Sequence, residues 1–454
     1  MMTIRRTALF PLLLLLLSLG SCSGHEAGEG PVYRIRSGHD LNLLTTSDIH
    51  YLSPGLRDDG TAFRQFLAAG DGKQLEYSSE MLEALRYDVA LRRPDAVIIS
   101  GDLSNNGEEA SHKELAGQLK QLEQETGTRV YVIPGNHDIR NPWARRFKGR
   151  RQYAVDSVTA GEFRKIYSSF GYGEALLTDK DSLSYLAAPS DELWLLMLDT
   201  AQYEDNKALG HPELKGRISA GTLEWIGACG RMAAEHGAQL IAVMHHNLMN
   251  HSSFIQEGFT VEDHTEVMDA LVKNGVRTVL SGHIHMQDIS EATRDGKPVY
   301  DIASSALSVY PHQYGLLHYS SAGRTLDYST ATLGMEPWAA TAGITDPKLL
   351  HFKDYSEQEF RKRSAGRTFS RLASDKAYAG YSDTQLGQMA DVVGALNALY
   401  TAGMTSTGLA AILDTDGYRL WQTAPASGTR SYVLEMAAQQ PENNRRLHTR
   451  LAEP

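Results

Sequence analysis

The sequence predicts an α/β fold in which apolar strands alternate with amphipathic helices, followed by a mainly helical carboxy-terminal region. Three observations carry that prediction. Short apolar runs such as Val130-Tyr131-Val132-Ile133 lack the alternation of a half-solvated strand and read as buried parallel strands. The segments between them repeat apolar residues at helical spacing and end at glycine or proline. Each run stops at a cluster of Asp, Asn or His until about Met335, after which helical periodicity continues with no such clusters.

Residues 1–21 are a targeting segment. Arg5 and Arg6 make a charged start, residues 8–17 an apolar stretch too short to span a bilayer, and Leu19-Gly20-Ser21-Cys22 sets small residues before a cysteine. The pattern resembles a bacterial lipobox. That resemblance implies cleavage before Cys22, a lipid on that cysteine, and a membrane-anchored protein of the bacterial envelope outside the cytoplasm. An ordinary secretory signal with an incidental cysteine is the alternative. Residues 22–38, rich in Gly, Ser and Glu, form a tether. The second of the two cysteines, Cys229, lies on a helical stretch and reads as a small buried side chain, so no intramolecular disulfide is expected.

The first strand, residues 40–46, ends in Asp48 and His50. Two residues apart on extended backbone, they point to one side. A helix at 79–93 leads to the strand 95–100, which ends in Gly101-Asp102, where a glycine lets ligand and backbone approach closely. A helix at 108–125 leads to the third strand and its terminus Pro134-Gly135-Asn136-His137-Asp138. The dense basic run at 141–151 either holds a phosphate near the site or is a solvated loop, and for any single arginine the solvated reading is favoured. Strand 193–198 ends in Asp199-Thr200, read as a cap or turn. Helix 219–237 and strand 240–244 lead to His245-His246-Asn247, and helix 262–275 and strand 277–280 to Gly282-His283-Ile284-His285. Strands at 299–302, 315–319 and 325–332 are expected to complete a second sheet.

At 454 residues the chain is too long for one ordinary core. Two domains are expected, at 39–335 and 336–454, the latter carrying helices at 355–371, 384–400 and 409–413. A formal charge of -11 and a pI near 5.9 argue against a nucleic-acid binder. Oxygen and nitrogen ligands without cysteine suit manganese, iron, zinc or cobalt, and the strand ends offer too many for one ion. Two divalent ions at roughly 3.5–4 Å can share a carboxylate and activate a bridging hydroxide for in-line attack on phosphorus.

The ordered blocks Asp48-Ile49-His50, Gly101-Asp102, Gly135-Asn136-His137-Asp138, His245 and Gly282-His283-Ile284-His285 resemble the calcineurin-like metallophosphoesterase superfamily over residues 40 to about 330. The resemblance implies a β-sandwich flanked by helices. It also implies Asp48, His50 and His285 on one metal, Asn136, His245 and His283 on the other, and Asp102 between them. His137 would stabilise developing charge and protonate the leaving oxygen, with Asp138 holding its orientation. His246 would line the site, and Asn247 stands where the family often has proline. Residues 101–108 and 141–145 are similar to class III cyclic-nucleotide phosphodiesterases, including forms with an added helical domain. The expected function is therefore hydrolysis of a small phosphodiester such as a cyclic nucleotide. A phosphomonoesterase or nucleotidase, a lipid phosphodiesterase, and a non-catalytic envelope protein that binds a partner are the alternatives. For the helical region, a lid, a dimer contact and a partner surface stay open.

Overall fold

The computed structural model describes residues 35, 37–439 and 443–451. The targeting segment, Cys22 and most of the tether lie outside the described residues. Among the described residues no helix is long and apolar enough to cross a membrane.

The strands are β1 (Leu41–Thr46), β2 (Ala96–Ser100), β3 (Arg129–Ile133), β4 (Arg145–Lys148), β5 (Arg151–Ala154), β6 (Leu177–Thr178), β7 (Tyr185–Ala187), β8 (Leu193–Leu198), β9 (Gln239–Met244), β10 (Thr278–Ser281), β11 (Asp288–Arg294), β12 (Lys297–Ala303), β13 (Gln313–Ser320), β14 (Thr325–Thr332) and β15 (Arg446–Arg450). They form a six-stranded sheet in the order β15-β14-β13-β1-β2-β3, a seven-stranded sheet in the order β11-β12-β10-β9-β8-β7-β6, and the hairpin β4-β5.

Each large sheet contains one β-α-β-α-β unit. β1, β2 and β3 run parallel, joined through helices Ser78–Arg92 and Glu109–Thr126. β8, β9 and β10 run parallel, joined through helices Ala220–His236 and His264–Lys273. Side-chain alternation decides which face packs where. Leu193, Leu195 and Met197 of β8, with Ile241 and Val243 of β9, share one core with Val97, Ile99 and Val130 of the other sheet. Trp194, Leu196 and Leu198, with Leu240, Ala242 and Met244, pack instead on Ile226, Cys229 and Leu271 of the covering helices. Cys229 is fully buried there, as its setting on an apolar helix face predicts. The result is the expected sandwich flanked by helices.

The last three predicted strands divide between the sheets rather than completing one. β12 pairs with β10, whereas β13 and β14 extend the first sheet from β1. Beyond β14 the chain is helical, with Phe352–Ser374 and Asp383–Thr401 the longest elements. Ser382 and Gln385 form a capping box at the start of the second. The core of this region, around Met389, Leu396, Trp421 and Val433, also takes in Ile284 and Met286. Those two residues flank His285, so the last ligand-bearing loop is pinned into the helical region by its apolar side chains.

Candidate metal centre

The polar ends of β1, β2, β3, β9 and β10 converge on one place. The route differs from the extended backbone that the i, i+2 spacing predicts. Asp48, His50, Asp102, His283 and His285 all have left-handed backbone, with φ of 54°, 45°, 49°, 67° and 57°. Such φ values cost a non-glycine residue about 1–2 kcal/mol each and gather at functional sites. Convergence is thus achieved by sharp turns after the strands, not by the pleat within them. Two glycines make room. A Cβ on Gly101, whose φ is 97°, would stand 2.8 Å from Cγ of His245, and one on Gly135 would stand 2.8 Å from Cγ of Asp102.

Two overlapping groups result. Asp48, His50, Asp102 and His285 place one ligand atom each within 4.8 Å of one another, and Asp102, His245 and His283 do the same. Asp102 Oδ2 lies 3.5 Å from Nε2 of both His50 and His245. Asn136 Oδ1 is 3.2 Å from His245 Nε2, on the side of the second group. The far ring nitrogens are held: His245 Nδ1 meets the Ser100 carbonyl at 2.9 Å, and His283 Nε2 meets that of Gly258 at 3.2 Å. Fixing the outer nitrogen on a carbonyl is how metal-binding imidazoles are oriented, and it leaves His245 Nε2 and His283 Nδ1 for an ion.

The residues fit the expected ions. Asp48 Oδ1 is buried without a well-aligned hydrogen bond and faces His285 Nε2 at 3.2 Å. His285 Nε2 in turn lies 3.2 Å from His50 Nε2. Lone pairs that converge in this way call for a shared cation, and a nitrogen and oxygen set suits a borderline divalent metal. Burial opposes charge on Asp102, but the neighbouring His245, His137 and His50 rings hold its carboxyl well below the ordinary range. Burial likewise pulls His245 down, and Asp102 outweighs it, leaving the imidazole at about 9.

His137 stands beside this cluster, its ring centroid 5.0 Å from that of His50. Its backbone N–H donates to Asp102 Oδ1 at 2.8 Å, and its Nδ1 donates to the Asn105 carbonyl at 3.0 Å and to Asn106 Oδ1 at 2.9 Å. Nε2 is left for a reacting group. Burial lowers the imidazole to about 4, against the pull of Asp102.

Three expectations are corrected. Asp138 does not orient the His137 ring. Its carboxylate accepts the N–H groups of Leu103, Ser104 and Gly135 and the Ser104 hydroxyl, at 2.8–3.0 Å, tying the turn after β2 to the turn after β3. Burial raises its pKa to about 7. The orienting groups are Asn105 and Asn106, whose only sequence signal is polar residues directly after Gly101-Asp102. His246 does not line the site either. Its Nδ1 meets Thr200 Oγ1 at 2.8 Å, its Nε2 meets the Leu214 carbonyl at 3.1 Å, and its ring packs 4.4 Å behind that of His283. With both nitrogens engaged it is no ligand, which favours His245. The basic run forms the hairpin β4-β5, in which Arg145 bonds the Pro142 and Ala144 carbonyls and β5 is exposed. Asp199 fills the turn role foreseen for it, accepting the N–H of Ala201 at 3.1 Å.

The cation beside the centre is Lys73, which sequence reasoning missed. It pairs with Asp71 at 3.2 Å, and Asp71 lies 3.8 Å from His285 Nδ1. Both share a cavity of about 720 Å3 with Asp102, His137, His283 and His285. Its opposite wall comes from the helical region. Arg363 and Arg367 of helix Phe352–Ser374 also bond the Lys73 and Gly70 carbonyls, at 3.3 Å and 2.6 Å, so that helix fixes the Lys73 loop.

Comparison with known proteins places this geometry in context. Residues 41–287 match the family model of the calcineurin-like phosphoesterases, and residues 334–443 match that of the C-terminal domain of cyclic nucleotide phosphodiesterase. The chain is 28% identical over 264 residues to a cAMP/cGMP dual specificity phosphodiesterase of Mycobacterium tuberculosis, covering 57% of this chain and 66% of that protein. It is 26% identical over 234 residues to a probable cyclic nucleotide phosphodiesterase of Rhodococcus erythropolis, covering 51% and 64%. The chain thus spans just under two thirds of the length of each of these relatives. A dimetal phosphatase from Danio rerio aligns at 14% identity and a TM-score of 0.44, over 65% of this chain and 99% of that one.

Proposed function

This chain belongs to the calcineurin-like phosphoesterase family, and from that premise we propose that it hydrolyses a small phosphodiester such as a cyclic nucleotide at a two-ion centre. The observation that carries the reading is His137, a non-ligating imidazole hydrogen-bonded through its backbone to the shared carboxylate Asp102 and aimed by two carbonyl oxygens at its Nδ1. A purely structural metal site has no use for such a residue. The relatives' names and the match of residues 334–443 support the choice of a cyclic nucleotide.

In this reading Asp48, His50 and His285 hold one divalent ion, Asn136, His245 and His283 the other, and Asp102 both. When bound, the ions supply Lewis-acid polarisation of the phosphoryl oxygens and an activated water. The chain's own groups do the rest. Nδ1 of His137 donates to Asn105 and Asn106, so Nε2 carries the proton that passes to the leaving oxygen. A low imidazole pKa makes the charged ring a strong acid, and the phosphoester anion beside it favours the charged form. Lys73 adds positive charge on the same wall. The functional division follows the sequence, with residues 39–335 carrying the chemistry and residues 336–454 covering it. Export and lipid attachment at Cys22 place the enzyme at the bacterial envelope. Loss of lipid labelling in Cys22→Ser tests that part.

The main test is hydrolysis by metal-stripped protein resupplied with manganese, comparing bis-p-nitrophenyl phosphate, p-nitrophenyl phosphate and 3′,5′-cyclic nucleotides. Metal-dependent turnover that favours diesters is expected. Preference for the monoester would make the protein a phosphatase. Absence of turnover with every divalent ion supplied would overturn the enzymatic reading in favour of partner binding.

A further inference from the structure

The cavity before the metal centre is larger than the phosphoryl chemistry requires. Asp102, His137, His283, His285 and Lys73 account for the phosphoryl group and leaving oxygen, and they occupy one wall of the roughly 720 Å3. A volume of that size lies within the range of about 300–1,000 Å3 common for small-molecule sites. The remaining space is bounded by helices Phe352–Ser374, Asp383–Thr401 and Gly428–Ala438.

What these helices present is polar on one side and aromatic on the other. Ser364, Thr368 and Arg371 recur at helical spacing and so share one face of the first helix. Asn397 of the second helix donates from Nδ2 to Ser364 Oγ at 2.7 Å, and its Oδ1 accepts the Tyr432 hydroxyl. Both ends of the amide are therefore fixed. One N–H and one lone pair remain in its plane. A side-by-side donor and acceptor in a fixed plane matches the edge of adenine, which offers an amino hydrogen beside a ring nitrogen. Phe259 and Tyr432 supply ring surface on the same cavity.

From this we infer that the helical region is the nucleoside subsite of the enzyme. The base of an adenine cyclic nucleotide seats between Asn397 and the Phe259 and Tyr432 rings while its phosphodiester reaches the metal wall. The inference rests on the phosphodiesterase reading and adds what recognises the organic half of the substrate. The subsite is held in register with the chemistry because Ile284 and Met286, either side of His285, are buried in the helical core.

The test uses the full chain with Asn397→Ala and, because that change frees Ser364 and the Tyr432 hydroxyl, the exposed Arg371→Ala as well. The quantity read is the ratio of kcat/KM for 3′,5′-cyclic AMP to that for bis-p-nitrophenyl phosphate, with bound metal measured alongside. One lost base contact pair is worth about 1–3 kcal/mol, so the ratio is expected to fall about 10-fold in Asn397→Ala, chiefly through KM. A smaller fall in the same direction is expected for Arg371→Ala. In addition, 5′-AMP should lose its advantage over inorganic phosphate as a competitive inhibitor of Asn397→Ala. An unchanged ratio in both variants overturns the subsite, whether both substrates suffer equally or neither does. A wild-type enzyme that cleaves bis-p-nitrophenyl phosphate but no cyclic nucleotide overturns the substrate reading instead, and the occupant with it.

Discussion

Replacing His137 by alanine separates proton transfer from metal binding, because the structure lets one be removed without the other. The contact that steadies Asp102 is the backbone N–H of residue 137, 2.8 Å from Oδ1, and alanine keeps it. What is lost is the ring, with the hydrogen bonds of Nδ1 to the Asn105 carbonyl and Asn106 Oδ1. Asn106 Oδ1 still has Asn141 Nδ2 at 3.3 Å, so the cost to folding should stay near 1 kcal/mol. Loss of a positioned acid costs about 100- to 10,000-fold when the leaving group needs a proton, or about 3–5 kcal/mol of barrier. It costs little when the leaving group departs as a stable anion. His137→Ala should therefore lose that factor in kcat on 3′,5′-cyclic AMP, whose leaving group is a sugar alkoxide. On bis-p-nitrophenyl phosphate the loss should be about 10-fold or less, with both metals retained by elemental analysis. Equal losses on both substrates, or metal loss in proportion to activity, would refute the assignment.

Asp102→Ala should lose both ions, since Oδ2 is the atom common to the two groups, and elemental analysis after dialysis should show fewer ions than in any single-group variant. Asp138→Ala should act on stability. It leaves the buried N–H groups of Leu103, Ser104 and Gly135 without their acceptor, at about 1–3 kcal/mol each, so urea denaturation should show a loss of at least about 3 kcal/mol. A variant of unchanged stability but low turnover would restore the orienting role. His251 is buried between Asp288 Oδ2 at 2.7 Å and Asp301 Oδ2 at 3.0 Å; burial lowers its pKa, but the two carboxylates outweigh it and raise it from 6.5 to about 9. Its folded pKa lies above the unfolded one, so its contribution is whole below pH 6.5 and is lost as pH rises through about 9. Melting temperature should fall across that window in the wild type, and the fall should be smaller in His251→Gln. Parallel melting curves would contradict the assignment.

Much of this site is legible in the sequence, because buried parallel strands announce themselves as apolar runs and the first polar residues beyond them mark the sheet's carboxyl end. Asp48, His50, Asp102, Asn136, His245, His283 and His285 were all accessible to that reasoning, and the structure brings them together. The left-handed turns at five of them were not, since nothing in the residue types Asp and His requires positive φ. The role of Asp138 was hidden for a related reason. Neighbours in sequence suggest contact, but the side chain turns away from His137 toward the loop after β2. Lys73 and Asn397 were illegible because their meaning depends on packing between segments hundreds of residues apart, which local periodicity does not encode. The strand β15 was missed because Arg446-Leu447-His448-Thr449-Arg450 is polar and mostly exposed, the opposite of a buried run.

That strand changes how the chain can be cut. Its hydrogen bonds run along β14, pairing Thr325 with Arg450 through Ser329 with Arg446, on the far side of all the carboxy-terminal helices. Topologically the helices are a loop spliced between two neighbouring strands of one sheet, not an appendage hung from its end. A stop codon placed after β14 would strip the helices and also bare a row of unpaired amides and carbonyls along an eight-residue edge, an invitation to intermolecular pairing. A clean excision would instead bridge the end of β14 directly to β15 as a hairpin, and only a protein trimmed that way would show what the bare metal wall does alone.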